Sequence, residues 1–391
     1  MRKSELIVPF AAAALLALSC SSPSSSPPPA EIRTPSVNVA GFFQNDDNRN
    51  YPCLWNGGTG TELETEPNGS VYYGVAVSDG IAYVSGRFQE SACYWRCRLI
   101  PGGEGAVTAD RVDLPQSGSS GALAQSVFAD GNTVYLAGYE LNASYMGRAC
   151  YWTHEIGSTD TVQHLLTDGS ADAQVCAIYV RNGAVFMAGY YTNASGDRVA
   201  CYWTDSSQSA VPLIVSDYDS EARSIFVDDA GTVYTAGYRS VGEEDDDMIA
   251  CYWVGPGDRS VDLSASASDA AGILVDDGVV YLSGSDYVTA DSLDRACYWT
   301  DSASVDSDDP ERVLLDSGTT VSYAGSLFLT DSQIFVAGCY LSGGGNSVAS
   351  YWTDSRSEDA IAPVRVPLSD GSTDAMAWSV SVGYVATSTE G

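Results

Sequence analysis

Seven times the chain repeats a strand that ends in Ala-Gly or Ser-Gly, followed by an aromatic cluster that ends in Tyr-Trp or Leu-Trp. The clearest copies read VYLAGY…ACYW over Val134–Trp152, VFMAGY…ACYW over Val185–Trp203 and VYTAGY…ACYW over Val233–Trp253. The others close at Trp55, Trp95, Trp299 and Trp352, and successive tryptophans stand 40, 57, 51, 50, 46 and 53 residues apart. A strand-rich unit recurring at about this spacing predicts the blades of a propeller. Any residue present in every unit is therefore read first as packing and only afterwards as chemistry.

Each unit resolves into four short runs, here named strands a, b, c and d. In the fifth they are Ala222–Val227, Thr232–Gly237, Ala250–Trp253 and Ser260–Leu263. All are β-branched or aromatic and bounded by Gly, Asp and Ser. The a–b junction repeats Asp79-Gly80, Asp130-Gly131, Asn182-Gly183 and Asp277-Gly278, dipeptides that accept positive φ in tight hairpins. The pairs Asp228-Asp229 and Asp276-Asp277 read as turn residues, since their spacing is too tight for a calcium cage. Along ACYW, alternation sends Cys and Trp to one face of the strand and Ala and Tyr to the other. Neighbouring blades cover both faces, so the recurrent tryptophans are packing and not sugar-stacking platforms. The Ala-Gly of strand b leaves room for another backbone or ring to approach closely.

Strand a carries Ala-x-Ser-hydrophobic at Ala124–Val127, Ala222–Ile225, Ala324–Leu327 and Ala377–Val380, with variants near Gly74–Val77, Cys176–Val180 and Gly272–Val275. Strands b and c also number seven, yet the body begins with b (Val37–Gly41) and ends with a. The last strand must then complete the first blade, which closes the ring and hides its edges. The expected fold is all-β: residues 37–391 form a seven-bladed β-propeller of four-stranded blades, closed by a C-terminal strand in the N-terminal blade.

The stretch Ile225–Tyr238, IFVDDAGTVYTAGY, resembles the SBBP-like repeats of bacterial secreted proteins. The resemblance spans nearly all of Val37–Val382 and implies a propeller while saying little about activity. The sixth unit departs from it, with Ser285 after Gly284. The Asp-box, the kelch double glycine and the WD-repeat signature are absent.

Residues 1–20 read as an address. Arg2 and Lys3 precede an apolar run, Leu6–Leu18, that is too short to span a bilayer, and Ser19-Cys20 follows. This resembles a bacterial lipoprotein signal, in which Cys20 becomes the lipid-bearing first residue. Ala17 and Glu5 depart from the usual pattern, and an ordinary secretory signal cut nearby is the alternative. Residues 21–36 are a Pro/Ser-rich tether. The expected location is the bacterial cell envelope, with the body lipid-anchored at the outer membrane or cell surface. A net charge of −33 repels phosphate backbones and anionic headgroups. Nucleic acid is thereby excluded as a partner, and the membrane is reached through the N-terminal lipid alone.

Cys53, Cys93, Cys150, Cys201, Cys251 and Cys297 occupy one repeat position, two before the Trp, which Ser350 fills in the seventh unit. Equivalent positions in adjacent sheets stand ~10 Å apart, beyond the ~7 Å a disulfide tolerates. These thiols are expected to be reduced, buried packing residues. Cys176 and Cys339 form the one pair outside the repeat, and a bond between them stays open.

In a propeller the b–c and d–a connections share one face. Here the b–c loops differ in every unit, and variable loops on a rigid scaffold are where binding resides. The candidate binding residues lie just past the strand-b glycine: Phe43, Arg87, Phe88, Glu140, Tyr191, Arg239, Asp286 and Tyr340. Aromatics directly after that glycine, such as Tyr139, Tyr190 and Tyr238, are assigned to blade packing. Two histidines, His154 and His164, fall near an outer c–d hairpin, where little chemistry converges. No zinc-protease motif, nucleophile elbow or Cys/His ligand set occurs. No catalytic residue, metal ligand or cofactor is singled out. The leading expectation is a surface-tethered, non-catalytic propeller that binds a glycan or protein partner. The alternatives are a polysaccharide-active hydrolase or lyase using loop-face carboxylates, and a structural scaffold for envelope assembly.

Overall fold

The computed structural model describes residues 33–386, apart from 47–48, 66–69, 101–105, 118–119, 215–217, 243–247, 257–259, 291, 304–309, 317–319 and 357–361. Cys20 and the rest of the signal and tether up to residue 32 lie outside the described residues. The chain forms seven four-stranded antiparallel sheets. In blades 2 to 7 the strands follow chain order, with strand a at Ser70–Ser78, Ala122–Asp130, Ala173–Arg181, Ser220–Val227, Ser268–Asp276 and Ser322–Leu329. In blade 1 the order is Ala375–Ala386, Arg33–Gln44, Asn50–Asn56, Thr59–Glu62, so the last strand of the chain is strand a of the first blade. Strands a from all seven blades line a cavity of about 630 Å³ on the ring axis.

The ring closes where the repeat count requires, with Val37 opposite Val382, Val39 opposite Val380 and Gly41 opposite Ala377. The pairing also runs further than the count implied, out to Arg33 opposite Ala386. Strand b of blade 1 therefore begins at Arg33, inside the stretch whose composition reads as tether. The physical reason is the edge: strand a offers its hydrogen-bonding groups along Gly383–Ala386, and the chain before Val37 satisfies them. Ser36 is buried, and its hydroxyl accepts a hydrogen bond from Asn56 Nδ2 at 2.6 Å.

Blade faces interlock as the ACYW alternation predicts. Ala92 and Tyr94 of blade 2 pack on Cys150 and Trp152 of blade 3. Ala149 and Tyr151 pack on Cys201 and Trp203, and Ala200 and Tyr202 on Cys251 and Trp253. The series continues through Ala250 and Tyr252 on Cys297 and Trp299 and Ala296 and Tyr298 on Trp352. Ala349 of blade 7 then meets Cys53 and Trp55 of blade 1, and Leu54 meets Cys93 and Trp95. Each boundary is thus a large-into-small fit of one repeated residue set against another. Replacing one of these tryptophans by Ala would cost about 3–5 kcal/mol. The nine described cysteines are free thiols, eight of them buried, and burial raises Cys97 to about 12.

The Ala-x-Ser motif has a matching inter-blade role. Ser126, Ser224, Ser326 and Ser379 each accept a backbone N–H from strand a of the next blade, at Ile178, Ile273, Val380 and Val75 respectively. At the a–b turns, Asp79-Gly80, Asn182-Gly183 and Asp277-Gly278 all take positive φ, as two-residue hairpin turns require.

Candidate binding site at the channel mouth

The strand-b glycine is what shapes the b–c loop end of the ring. A Cβ on Gly237 would run into the Glu221 carbonyl oxygen, and Gly138, Gly189 and Gly284 meet Leu123, Gln174 and Asp269 in the same way. That close approach accompanies a β-bulge in strand a at the same level of each blade, for example between Ala222 and Ser224 and between Ala270 and Gly272. A bulge re-aims the extra residue and bends the strand. The extra residues include Gln125, Cys176, Arg223 and Trp378. Gln174, Glu221, Asp269 and Tyr323 lie just before the repeated position of the next blade. The repeat is constant at the glycine and variable at these two positions.

Across blades 3 to 6 the two sets bond to one another around the ring. Gln125 Nε2 donates to Gln174 Oε1 at 3.3 Å, and the Cys176 thiol to Glu221 Oε1 at 3.7 Å. Arg223 donates from Nη1 to Asp269 Oδ2 at 2.6 Å and from Nε to Glu221 Oε1 at 3.4 Å. Arg198 reaches Glu221 Oε2 at 3.2 Å. Both guanidinium groups rest on buried rings, Arg198 4.7 Å from the Tyr190 centroid and Arg223 4.9 Å from that of Tyr238. Tyr190 is fixed in turn by its hydroxyl, which donates to Asp172 at 3.0 Å. In blade 7 the Tyr323 hydroxyl donates to Asp294 Oδ2 at 3.4 Å. Burial raises the pKa of Asp269, Arg223 opposes that shift, and the Asp294 charge adds to it.

The mouth keeps access to solvent. The Arg198, Arg223 and Asp269 side chains are 45%, 35% and 31% exposed. Four aromatic rings are exposed among the described residues: Tyr145, Tyr218, Tyr323 and Trp378. All four belong to one end of the ring. Tyr145 is in the b–c loop of blade 3 and Tyr218 in the d–a connection ahead of blade 5. Tyr323 and Trp378 lie in the opening residues of strands a in blades 7 and 1. At the opposite end, Phe128, Tyr179, Phe226, Leu274 and Phe328 form a half-buried apolar collar around the channel. Phe128 and Tyr179 stand 5.1 Å apart, and Tyr179 and Phe226 5.0 Å.

The residues singled out from the sequence fall elsewhere. Phe43, Phe88, Glu140, Tyr191, Arg239, Asp286 and Tyr340 share one register position, two past the strand-b glycine, and most are bonded within their own blade. Glu140 is fully buried, ion-paired with Arg148, and accepts from Ser117 Oγ at 2.8 Å and Gln163 Nε2 at 2.9 Å. Asp286 is fully buried, ion-paired with Arg312, and accepts from Ser264 at 2.7 Å and Ser266 at 3.0 Å. Arg239 grips Asp262 with two hydrogen bonds, 2.9 and 2.6 Å. Phe88 and Tyr340 lie beneath Arg111 and Arg365, 3.9 and 3.6 Å from the ring centroids. Phe43 stacks on Tyr51 at 5.6 Å, and Tyr191 is half-buried in the boundary between blades 3 and 4. Arg87 faces Glu90 at 4.0 Å. None of these residues joins the Arg198–Glu221–Arg223–Asp269 chain. The signal for that chain was present in the sequence: Glu221 and Arg223 are charges in a strand whose repeated neighbours are Ala and Ser.

His154 is buried and structural. Its Nε2–H donates to the Ser158 carbonyl at 3.0 Å, so Nδ1 accepts from the Tyr94 hydroxyl of the preceding blade at 2.5 Å. Among the described residues, no group of three or more His, Cys, Asp or Glu could hold a metal ion.

The fold defines the chain as a seven-bladed β-propeller. It is similar to the β-propeller domain of the Trilobed protease from Pyrococcus furiosus, at 9% identity and a TM-score of 0.50, covering 86% of this chain and 93% of that one. It is also similar to a provisionally assigned 6-phosphogluconolactonase from Bacteroides uniformis, at 12% identity and a TM-score of 0.47, covering 90% and 99%. At such identities the likeness concerns the fold alone. No family model and no curated protein matches the chain, so its similarity to SBBP-like repeats rests on the residues quoted above.

Proposed function

We propose that this chain is a non-catalytic recognition propeller, tethered to the bacterial envelope by a lipid on Cys20, that holds a glycan or protein partner on its b–c loop face. One observation carries the reading: the four exposed aromatic rings of the described residues all belong to that end of the ring. Exposed Tyr and Trp supply contact area at low entropic cost. The face also has a pre-set polar centre, whereas the opposite collar is apolar and packs its rings against one another. A second reading, a polysaccharide-active enzyme, draws on one specific feature. Glu221, Asp269 and Asp294 gather at the mouth, and Asp269 is shifted toward its protonated form, as a general acid requires.

The two readings separate on a glycan array probed with the mature protein, followed by chromatography of each captured glycan. Retention of intact glycan, reduced in Tyr145→Ser and Tyr218→Ser, supports recognition. Shortened products would transfer the function to the enzymatic reading.

A further inference from the structure

The channel mouth has chemistry specific enough to name a ligand class. Lys3 is the chain's one lysine, so after it every residue with a permanent positive charge is arginine. The two at the mouth, Arg198 and Arg223, lie over the rings of Tyr190 and Tyr238 and are joined through Glu221 to Asp269. The result is a row of alternating donors and acceptors, guanidinium then carboxylate, set before any ligand arrives. Neighbouring hydroxyls on a sugar ring each donate and accept, so they match such a row two at a time. The next blade places Tyr323, 42% exposed, at the same register position as Asp269, and Trp378 follows one blade further on, 37% exposed. Apolar C–H faces of a sugar stack on such rings. Charge sets the class. The mouth brings two arginines against Glu221, Asp269 and Asp294, on a chain of net charge −33. An anionic sugar would enter an opposing field.

Resting on the recognition reading above, we propose that this mouth is a subsite for a neutral sugar unit of a polysaccharide, hydrogen-bonded by Arg198, Glu221, Arg223 and Asp269 and stacked on Tyr323. Ordering cost is low because the polar row is already fixed by its own ion pairs and rings. The half-buried Asp269 carboxylate, held on one side by Arg223, gains sugar hydroxyls as further donors. Trp378 extends the stacking surface toward an adjoining sugar unit.

Calorimetry tests this on the mature protein with cellohexaose, maltohexaose, laminarihexaose, xylohexaose and chitin hexamer, set against hexagalacturonate. The expected result is binding of at least one neutral hexamer, no binding of hexagalacturonate, and at least tenfold weakening in both Tyr323→Ala and Asp269→Asn with folded circular dichroism retained. Binding of none of the neutral hexamers overturns the subsite, as does preference for hexagalacturonate. A neutral hexamer that loses affinity in Tyr145→Ala or Tyr218→Ala but not in Tyr323→Ala overturns the subsite and leaves the face reading intact. Affinity lost only in Phe128→Ala or Phe328→Ala, at the opposite end, overturns both.

Discussion

The Tyr298 hydroxyl of blade 6 donates to the Asp354 carboxylate of blade 7 at 2.7 Å, both groups buried. The bond recurs at two other blade boundaries. Tyr252 donates to Asp301 at 2.7 Å across the preceding boundary, and Tyr94 to His154 at 2.5 Å between blades 2 and 3. In each case the Tyr of one ACYW meets the residue two past the Trp of the next. Tyr298→Phe would leave a buried carboxylate short of a donor, at a cost of about 1–3 kcal/mol. Tyr351 is the internal control, because the equivalent residue of blade 1 is Gly57, which has no side chain to accept. Chemical denaturation should show a clear loss for Tyr298→Phe and a smaller one for Tyr351→Phe. Equal losses would mean that ring packing, and not the hydrogen bond, couples the blades.

The strand-b glycine yields a second expectation. In Gly237→Ala the new methyl group meets the Glu221 carbonyl, which is backbone and cannot rotate aside. The a–b pairing of blade 5 must shift, at a cost of about 1–3 kcal/mol for such overpacking. Because Arg223 is the bulged residue and Glu221 lies two positions before it, the same substitution should weaken ligand capture at the mouth more than its effect on melting alone would suggest. Unchanged melting would show that the bulge does not depend on the missing Cβ.

How much of this was legible in the residues depends on whether a position repeats. Blade number, strand order, ring closure and the Cys/Trp-against-Ala/Tyr packing all follow from repetition, and the sheets and clusters agree with them. The end of the tether was not legible. Pro35 and Ser36 have no strand signature, and only the unpaired edge of Gly383–Ala386 draws them into pairing. The bonding of the candidate residues was not legible. Positions two past the glycine vary, which suggested recognition, yet at Phe88, Glu140, Asp286 and Tyr340 the variation is matched by Arg111, Gln163, Arg312 and Arg365 on strand d. Such compensation is invisible until strand d is laid beside strand c. Glu221 and Arg223 were hidden for the opposite reason, being embedded in a motif read as packing.

Buried thiols give a third prediction. Ser350 stands where six blades carry Cys, and its hydroxyl donates to the Val348 carbonyl two residues back at 3.3 Å. Cys201→Ser can make the same bond to Val199, so its cost should fall near 1 kcal/mol, the low end for a buried hydroxyl. Burial holds the Cys150, Cys201, Cys251 and Cys297 thiols far above their ordinary range. A thiol reagent should therefore react with them only on unfolding. Fast labelling of the native protein at Cys201 would contradict this.

Asp269 predicts a pH dependence of definite sign. Its folded-state pKa is raised by burial, against the pull of Arg223. As pH falls from neutral through that raised value toward the ordinary carboxylate value near 3.8, the folded state takes up the proton before the unfolded chain does. Stability contributed by this group therefore grows with acidification and is fully gained below the unfolded value. Compared at each pH with Asp269→Asn, which does not titrate, the wild type should gain melting temperature between about pH 7 and pH 4. A difference that stays flat or shrinks would mean that the ion pair with Arg223 outweighs the burial.

The anchor can be tested together with the start of the ring. If Cys20 carries lipid, radiolabelled fatty acid should enter the wild type and not Cys20→Ala, and the wild type alone should partition into detergent, since more than one acyl chain is needed for a stable hold. Deleting residues 21–28 removes only sequence read as tether and should leave melting unchanged. Deleting residues 33–36 removes the Ser36 hydroxyl that receives Asn56 and the pairing with Gly383–Ala386, and should lower stability by about 1–3 kcal/mol. Equal melting for the two deletions would return the start of the ring to Val37. Absence of label from the wild type would leave a plain secretory signal, and a soluble rather than tethered binding protein.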